Sequence, residues 1–431
     1  MTTTIASPIE LEDRHLLRIG MFSESFDPVQ NGVTTSVLTL IAGLRSHNHH
    51  VYIFAPAHQQ QREMQTYVVR FPSFVSFLNP EYPLAYPFLP RIALDTHFSN
   101  LKLQVVHTHT PFVLGLTGAN LALQRSIPLV TTFHTLYAQY SHYLPFLPDT
   151  VTQSIIETYL PWYYNRCDAI ICPSEVAAGA MREMGVTRPI EVIPTGVPLP
   201  PPATVGGEVR LCTRRRLGIS ASTPLLLYAG RLSREKNLDL LIDSFVNIHD
   251  RLPTARLALA GGGPYADDLL QRATDLDIRD SVMFLGPQHR SEMDALYAAA
   301  DVFCFPSASE TQGLVIGEAR AAGTPCVVVD AGGAPETVED GRDGFRVSAS
   351  DPRAFAGRIL QILQDHNLAT RMSARARENA RNYTPERMVE RVIAVYGRSR
   401  PPATSRRSRS SNNDIIDWEA IAGSVFKFPP V

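Results

Sequence analysis

The sequence predicts an α/β protein built from two Rossmann-like, doubly wound parallel-sheet domains that face each other across a cleft. Three observations carry this. Short apolar runs alternate with amphipathic helical patterns along most of the chain, as β-α-β units require. The alternation breaks in a proline-rich stretch, Pro194 to Pro202, and restarts at Pro224. At 431 residues the chain is too long for one ordinary domain and long enough for two full cores. The expected division is a first domain over 15–197, a linker over 198–222, a second domain over 223–384, a last helix over 385–397 and a disordered basic tail over 398–431.

A content of 44% hydrophobic and 19% charged residues is that of a soluble globular protein. The formal net charge of -2 gives no reason to expect a nucleic-acid partner. Of the five cysteines, Cys172, Cys304 and Cys326 lie in apolar runs and read as reduced core residues of a cytosolic protein. Met1 to Arg14 is polar and acidic, unlike a signal peptide. No apolar run reaches the roughly 18 residues of a membrane helix. A cytoplasmic location is expected, with any membrane contact peripheral.

Leu17 to Phe22 is the first strand, and Thr34 to Leu44 a helix with the stripe Val37, Leu40, Ile41 and Leu44. The loop between them holds Glu24, Asp27, Pro28, Asn31 and Gly32. Glycine at a helix start lets backbone N–H groups approach a phosphate, although a plain connection has the same appearance. Val51 to Ala55 and Tyr67 to Phe71 are further strands. Phe71 to Phe98 is rich in aromatics and too broken by proline for a long helix. It suits an acceptor groove, a membrane contact, or a loop folded onto its own domain.

Leu103 to His107 is a strand leading into His109; the two histidines share a face, but no third ligand is spaced to make a metal site. Pro128 to Thr132 delivers His134 to a strand's carboxyl end, where open parallel sheets bind ligands. Thr150 to Asn165 is amphipathic, Ala169 to Cys172 a strand, Ser174 a helix cap, and Ile190 to Ile193 the last strand of this half.

In the second half Leu225 to Ala229 is a strand followed by GRLSREKN. Arg231 and Lys236 flank that turn and suit either plain solvated surface or a diphosphate, the arginine as a bidentate donor and the lysine as a compact charge. Asn237 is expected to cap the next helix. Arg256 to Ala260 feeds Gly261 to Pro264, whose glycines serve either a ligand or a tight turn. Asp275-Leu276-Asp277 lies late in a helical pattern and reads as solvated surface.

Val282 to Leu285 and Val302 to Phe305 are strands. After the second come turn residues, then Glu310, the Gly313 turn, and a helix from Leu314 that carries Glu318. Gly323 ends that helix, and Cys326 to Val329 is the next strand. Gly333 to Val347 is a turn, a short helix and a strand; Pro352 to Tyr396 is helical, with Pro385 starting the last helix. The tail holds Arg398, Arg400, Arg406, Arg407 and Arg409, then Trp418, Phe426 and Phe428. It suits an anionic surface or a solvated extension.

The E-x7-E pair Glu310 and Glu318, with Phe305-Pro306-Ser307 before it, the Gly313 turn and A-x-G-x-P after it, resembles the signature of family 4. Its members are retaining, nucleotide-sugar-dependent glycosyltransferases of the GT-B fold. Gly230-Arg231-Leu232 with Lys236 is similar to the family's G-R-L-x-x-x-K motif. His134-Thr135-Leu136-Tyr137 followed by H-Y-L-P is similar to the subset that glycosylates diacylglycerol and related lipids.

The resemblance implies that Arg231 and Lys236 hold the donor phosphates, that Glu318 holds the ribose hydroxyls and that Glu310 holds the sugar. It places the Gly32 backbone at the diphosphate and His134 near the reacting carbon. Gly313 and Leu314 join the candidate donor contacts; Asp27, His109 and Tyr137 are the candidate acceptor contacts. The catalytic set is then His134, Glu310, Arg231 and Lys236, with no metal and no other cofactor. The last helix is expected to cross back to the first domain.

The expected reaction moves a hexosyl group, with retention, from a nucleoside diphosphate sugar such as UDP-glucose to a lipid hydroxyl such as that of diacylglycerol. A lipid acceptor would bring peripheral contact with an anionic membrane. A soluble sugar or phosphoinositol-type acceptor is the alternative; a donor-binding sensor without turnover is the alternative outside enzymes. A paired-carboxylate glycosidase is disfavoured, because hydrolysis of a neutral glycoside needs no diphosphate clamp.

Overall fold

Two parallel sheets organise the chain, and the computed structural model describes residues 16–60, 67–76, 79–86, 98–137, 153 and 155–399. The first lobe contains β1 (Arg18–Phe22), β2 (His50–Pro56), β3 (Val68–Phe71), a hairpin of β4 (Ser73–Ser76) and β5 (Asn79–Ala85), then β6 (Val105–Thr108), β7 (Leu129–Thr132), β8 (Ala169–Cys172) and β9 (Ile190–Val192). The second contains β10 (Leu225–Ala229), β11 (Arg256–Ala260), β12 (Val282–Gly286), β13 (Val302–Phe305), β14 (Cys326–Val329) and β15 (Gly344–Val347).

Strand order is β3-β2-β1-β6-β7-β8-β9 in one sheet and β12-β11-β10-β13-β14-β15 in the other. Every neighbouring pair in both is parallel. Each order therefore reverses beside its own first strand, at β1/β6 and at β10/β13. Those two switch points are where such sheets open a crevice for ligands.

Among the described residues the first lobe carries α1 (Gly32–Ser46), α2 (Val113–Gln124), α3 (Leu160–Tyr164) and α4 (Glu175–Glu183), with a π-helical turn (Ile155–Tyr159) before α3. Then come α5 (Pro202–Val205), α6 (Gly207–Arg216), α7 (Leu238–His249), α8 (Ala266–Asp275), α9 (Arg290–Ala299), α10 (Leu314–Ala322), α11 (Pro352–Gln364), α12 (His366–Ala380) and α13 (Pro385–Ser399). The α1 stripe of Val37, Leu40, Ile41 and Leu44 is buried, and Ser174 caps α4 by accepting from Ala177 N at 3.1 Å. Asp275 and Asp277 are exposed at the end of α8.

The chain's last described helix belongs to the first lobe's core. Met388, Val389, Val392, Val395 and Tyr396 of α13 pack with Val37, Ile41, Val130 and Ile171. A side chain at Gly43 would lie 2.4 Å from Val389 Cγ2, so glycine lets α1 and α13 approach closely.

Two readings differ from the structure. Residues 202–216, expected within a linker, form α5 and α6. Arg210 and Arg214, one helical turn apart, both bind Asp301 at the start of β13, at 2.5 and 2.7 Å. Arg214 also donates to Ala299 O and Thr223 O, so a basic stretch that looks solvated is pinned to the second lobe. Asn237 stands at the start of α7 but makes no side-chain cap; its amide donates to Pro306 O and Ala349 O, both at 3.3 Å. The H-Y-L-P run at 142–145, residues 77–78 and 87–97 of the aromatic stretch, and the tail from 400 lie outside the described residues.

A fully buried ion pair fastens the second lobe. Arg320 Nη2 donates to Asp343 Oδ2 at 2.8 Å, and Asn379 Nδ2 and the backbone N of Glu339 complete the carboxylate. Replacing Asp343 by alanine strands a buried guanidinium, and a loss of about 3–5 kcal/mol is expected in urea unfolding.

Candidate active site

The loops after β10 and β13 flank the second switch point. Gly230 has φ +148°, and side chains at Gly261 and Gly263 would meet Gly230 O at 1.9 Å and Leu232 O at 2.3 Å. Leu232 N donates to Gly262 O at 2.9 Å, and Tyr265 N to Leu232 O at 3.0 Å. The glycines of GGGP thus let one loop support the next, holding the segment that carries Arg231 and Lys236.

Lys236 Nζ donates to Glu310 Oε1 at 2.5 Å, with both side chains largely buried. Arg231 is exposed on the rim of the same loop. Gly313, at φ +74°, turns the chain into α10, which starts at Leu314 and places Glu318 in its second turn. Tyr297 OH donates to Glu318 Oε2 at 2.8 Å, and Arg290 pairs with Oε1. Arg290 is a partner that motif reading did not name.

In the first lobe Asn31 Oδ1 accepts from Thr34 N at 2.9 Å and caps α1. Gly32 follows, exposed, and a Cβ there would meet nothing within 4 Å. Among the described residues no contact demands glycine at this helix start. Gly32→Ala should therefore leave the melting temperature unchanged or slightly raised. If a donor diphosphate packs on this backbone, the same change raises the donor KM severalfold in steady-state assays. Asp27 is exposed, with its carbonyl accepting from Arg70 Nη2 at 2.7 Å.

Three histidines stand behind this face. His107 bonds Tyr396 OH through Nδ1 at 2.6 Å and Thr132 Oγ1 through Nε2 at 2.7 Å. Its ring stacks on His109 at 4.3 Å, and His109 Nδ1 lies 3.1 Å from His134 Nε2. Burial lowers all three: His107 to about 3, His134 to about 4 and His109 well below the ordinary value. His109 is only 2% exposed, so it lies behind His134 instead of lining the acceptor side as expected. β6 pairs in parallel beside β7, and the His109 and His134 rings that follow them lie 5.4 Å apart at an interplanar angle of 27°.

Tyr137, half-buried, stands edge-on to Phe112 and Phe133. Beside it is Glu24, which sequence reading names only as loop content. Glu24 Oε1 accepts from Leu114 N at 2.6 Å at the start of α2, while Oε2 is buried without a partner among the described residues. Burial pushes its carboxyl up to about 7, against backbone hydrogen bonds from Leu114 and Gly115 that pull it down. Nothing local in the sequence signals this burial.

The loop carrying Glu310 is also the seam between lobes. Thr311 Oγ1 donates to His134 O at 3.1 Å, and the Gln312 amide bonds both N and O of Thr195. Glu336 closes the seam further by accepting from Glu175 N and Val176 N at the start of α4, both at 2.7 Å. Lys236, Glu310 and His134 are thereby gathered at one junction. Among the described residues no three His, Cys, Asp or Glu side chains cluster as a metal site requires.

Residues 30–199 match the model of Glycosyltransferase Family 4, and residues 211–379 match that of Glycosyl transferases group 1. The alpha-monoglucosyldiacylglycerol synthase of Streptococcus pneumoniae is 33% identical over 72% of this chain and 70% of its own. The chain belongs to glycosyltransferase family 4. This family 4 chain is also 28% identical to the alpha-monoglucosyldiacylglycerol synthase of Acholeplasma laidlawii, over 88% of this chain and 96% of that one. A D-inositol 3-phosphate glycosyltransferase of Xylanimonas cellulosilytica is 32% identical over 73% and 75% of the two chains. Among solved structures, Anabaena HepE in complex with UDP superposes with a TM-score of 0.69 at 20% identity, covering 88% of this chain and 99% of that one. At that identity the likeness shows the fold, GT-B.

Proposed function

We propose that this family 4 enzyme transfers a hexosyl group, with retention, from a nucleoside diphosphate sugar to a hydroxyl of diacylglycerol or a similar glycerolipid. The observation that carries the reading is the Lys236–Glu310 pair at the second switch point, abutting His134 of the other lobe. A cation and an acid side by side suit the two ends of an activated sugar: Lys236 and Arg231 take the departing diphosphate, and Glu310 takes the sugar hydroxyls. The anomeric C–O bond to phosphate breaks, the acceptor oxygen bonds the same carbon on the same face, and the hydroxyl proton leaves with the diphosphate. Protein cations supply the charge in this scheme, so turnover should persist in EDTA.

The glycerolipid reading is supported by the two relatives named alpha-monoglucosyldiacylglycerol synthase and by the ring contact of Phe112 with Tyr137, three positions after His134. Phe74 and Tyr86 of the β4–β5 hairpin are exposed and in mutual ring contact at 5.3 Å. We place them at a peripheral membrane contact on the cytoplasmic face. Among the described residues no helix is long and apolar enough to cross a membrane.

The test is incubation with UDP-glucose and vesicles containing diacylglycerol, with products read by mass spectrometry and anomeric NMR. An α-glucosyl lipid is expected. Transfer only to inositol 3-phosphate or a free hexose would move the assignment to a soluble acceptor. The full chain should float with anionic vesicles and detach in high salt; recovery wholly in the unbound fraction would count against the membrane contact.

A further inference from the structure

We propose that His109 is a positioning residue that fixes the tautomer of His134, so that His134 presents Nδ1–H to the bound sugar. This rests on the reading of His134 as a donor-sugar contact. The geometry at issue, however, exists without any ligand.

His109 Nδ1 and His134 Nε2 are 3.1 Å apart, so one nitrogen carries a proton and the other accepts it. Both rings are neutral, because burial disfavours their charged forms and leaves each ring one N–H only. Two arrangements remain. If His134 donates from Nε2, His109 must carry its own proton on Nε2. That atom is buried and has no hydrogen-bond partner among the described residues. A sealed, unpaired N–H is the costlier fault, since buried donors are left orphaned more rarely than acceptors. If His109 donates from Nδ1 instead, its Nε2 holds only a bare lone pair. The second arrangement wins, and it obliges His134 to keep its proton on Nδ1.

The rest of the ladder keeps His109 where this works. Its ring stacks on His107 at 4.3 Å and meets the His134 ring at 5.4 Å. His107 is itself fixed by Thr132 and by Tyr396 of α13. His134 Nδ1 makes no hydrogen bond among the described residues, and the backbone of His134 is tied to Thr311, next to Glu310. The proton that His109 directs to His134 Nδ1 is thus offered beside the junction where the sugar is held.

Asparagine places an amide N–H where His109 has Nδ1, and glutamine reaches toward the Nε2 position. His109→Asn should keep kcat within about threefold of the parent. His109→Gln and His109→Leu should lower kcat by about tenfold or more, with little change in the donor KM. Two-bond 1H–15N spectra of the ligand-free full chain labelled at histidine should show His134, assigned through loss of its signals in His134→Asn, as the Nδ1–H tautomer. The same spectrum is expected for His109→Asn, and a mixed or Nε2–H form for His109→Leu. Melting curves identify any variant that fails to fold.

An Nε2–H tautomer of His134 in the parent chain would overturn the proposal. So would full kcat in His109→Leu, or rescue by glutamine and not by asparagine, which would put Nε2 against a substrate. If the parent chain transfers no sugar to any acceptor tried, the functional reading fails, while the tautomer spectrum still decides this proposal.

Discussion

Lys236→Ala should lower kcat by about a hundredfold or more while leaving the fold in place. Diphosphate departure builds negative charge on oxygens that a fixed cation in a partly dry site stabilises strongly, and removing one such group typically costs 10²–10³ in rate. The Glu310 carboxylate at 2.5 Å and a loop whose turn depends on Gly230 hold Lys236 in place. The substitution removes the cation and also frees Glu310, so the sugar end loses its orientation too. Lys236→Arg keeps the charge but changes its shape and reach, and should recover only part of the rate. Single-turnover kinetics with saturating donor make the distinction. A normal chemical step in Lys236→Ala would remove the lysine from the mechanism.

Glu318→Ala should act on binding more than on rate. Its carboxylate lies at the inner wall of the donor lobe, held by Tyr297 OH at 2.8 Å and by Arg290. A ribose diol meeting that carboxylate gains charge-assisted hydrogen bonds, worth roughly 1.5–3 kcal/mol. A rise in donor Kd of about ten- to a hundredfold is therefore expected by calorimetry, with a smaller rise for Glu318→Gln. Alanine also leaves the buried Tyr297 hydroxyl without its acceptor, so some loss of stability accompanies the change. Unchanged donor affinity would show that Glu318 serves Arg290 and Tyr297 alone.

Much of this was legible along the chain, for a physical reason. β8, β10, β11, β13 and β14 match the apolar runs residue for residue. Strands buried on both faces of a parallel sheet need continuous apolar runs, and turn residues bound them. The placement of Glu310 in the loop after β13 and of Glu318 in α10 is also readable, because strand, turn and helix start are consecutive in the sequence. What stayed hidden depends on partners far apart. Arg214 looks solvated until Asp301, 87 positions on, is brought beside it by α6 packing. His109 looks like a cleft residue until β6 and β7 pair and seat it behind His134. The burial of Glu24 arises from α2, whose first N–H groups lie 90 positions away. Arg290 reaches Glu318 across a separation of 28. None of these pairings has a local periodicity to announce it.

The central claim is that both lobes grip one activated sugar at the junction of Lys236, Glu310 and His134. A crystal structure of the full chain with an unhydrolysable nucleoside diphosphate sugar tests it most directly. The account predicts the diphosphate between Arg231, Lys236 and the backbone at Gly32, the ribose on Glu318, and the sugar between Glu310 and His134. Ligand bound to one lobe alone, or anywhere outside the crevice between the two switch points, would contradict it.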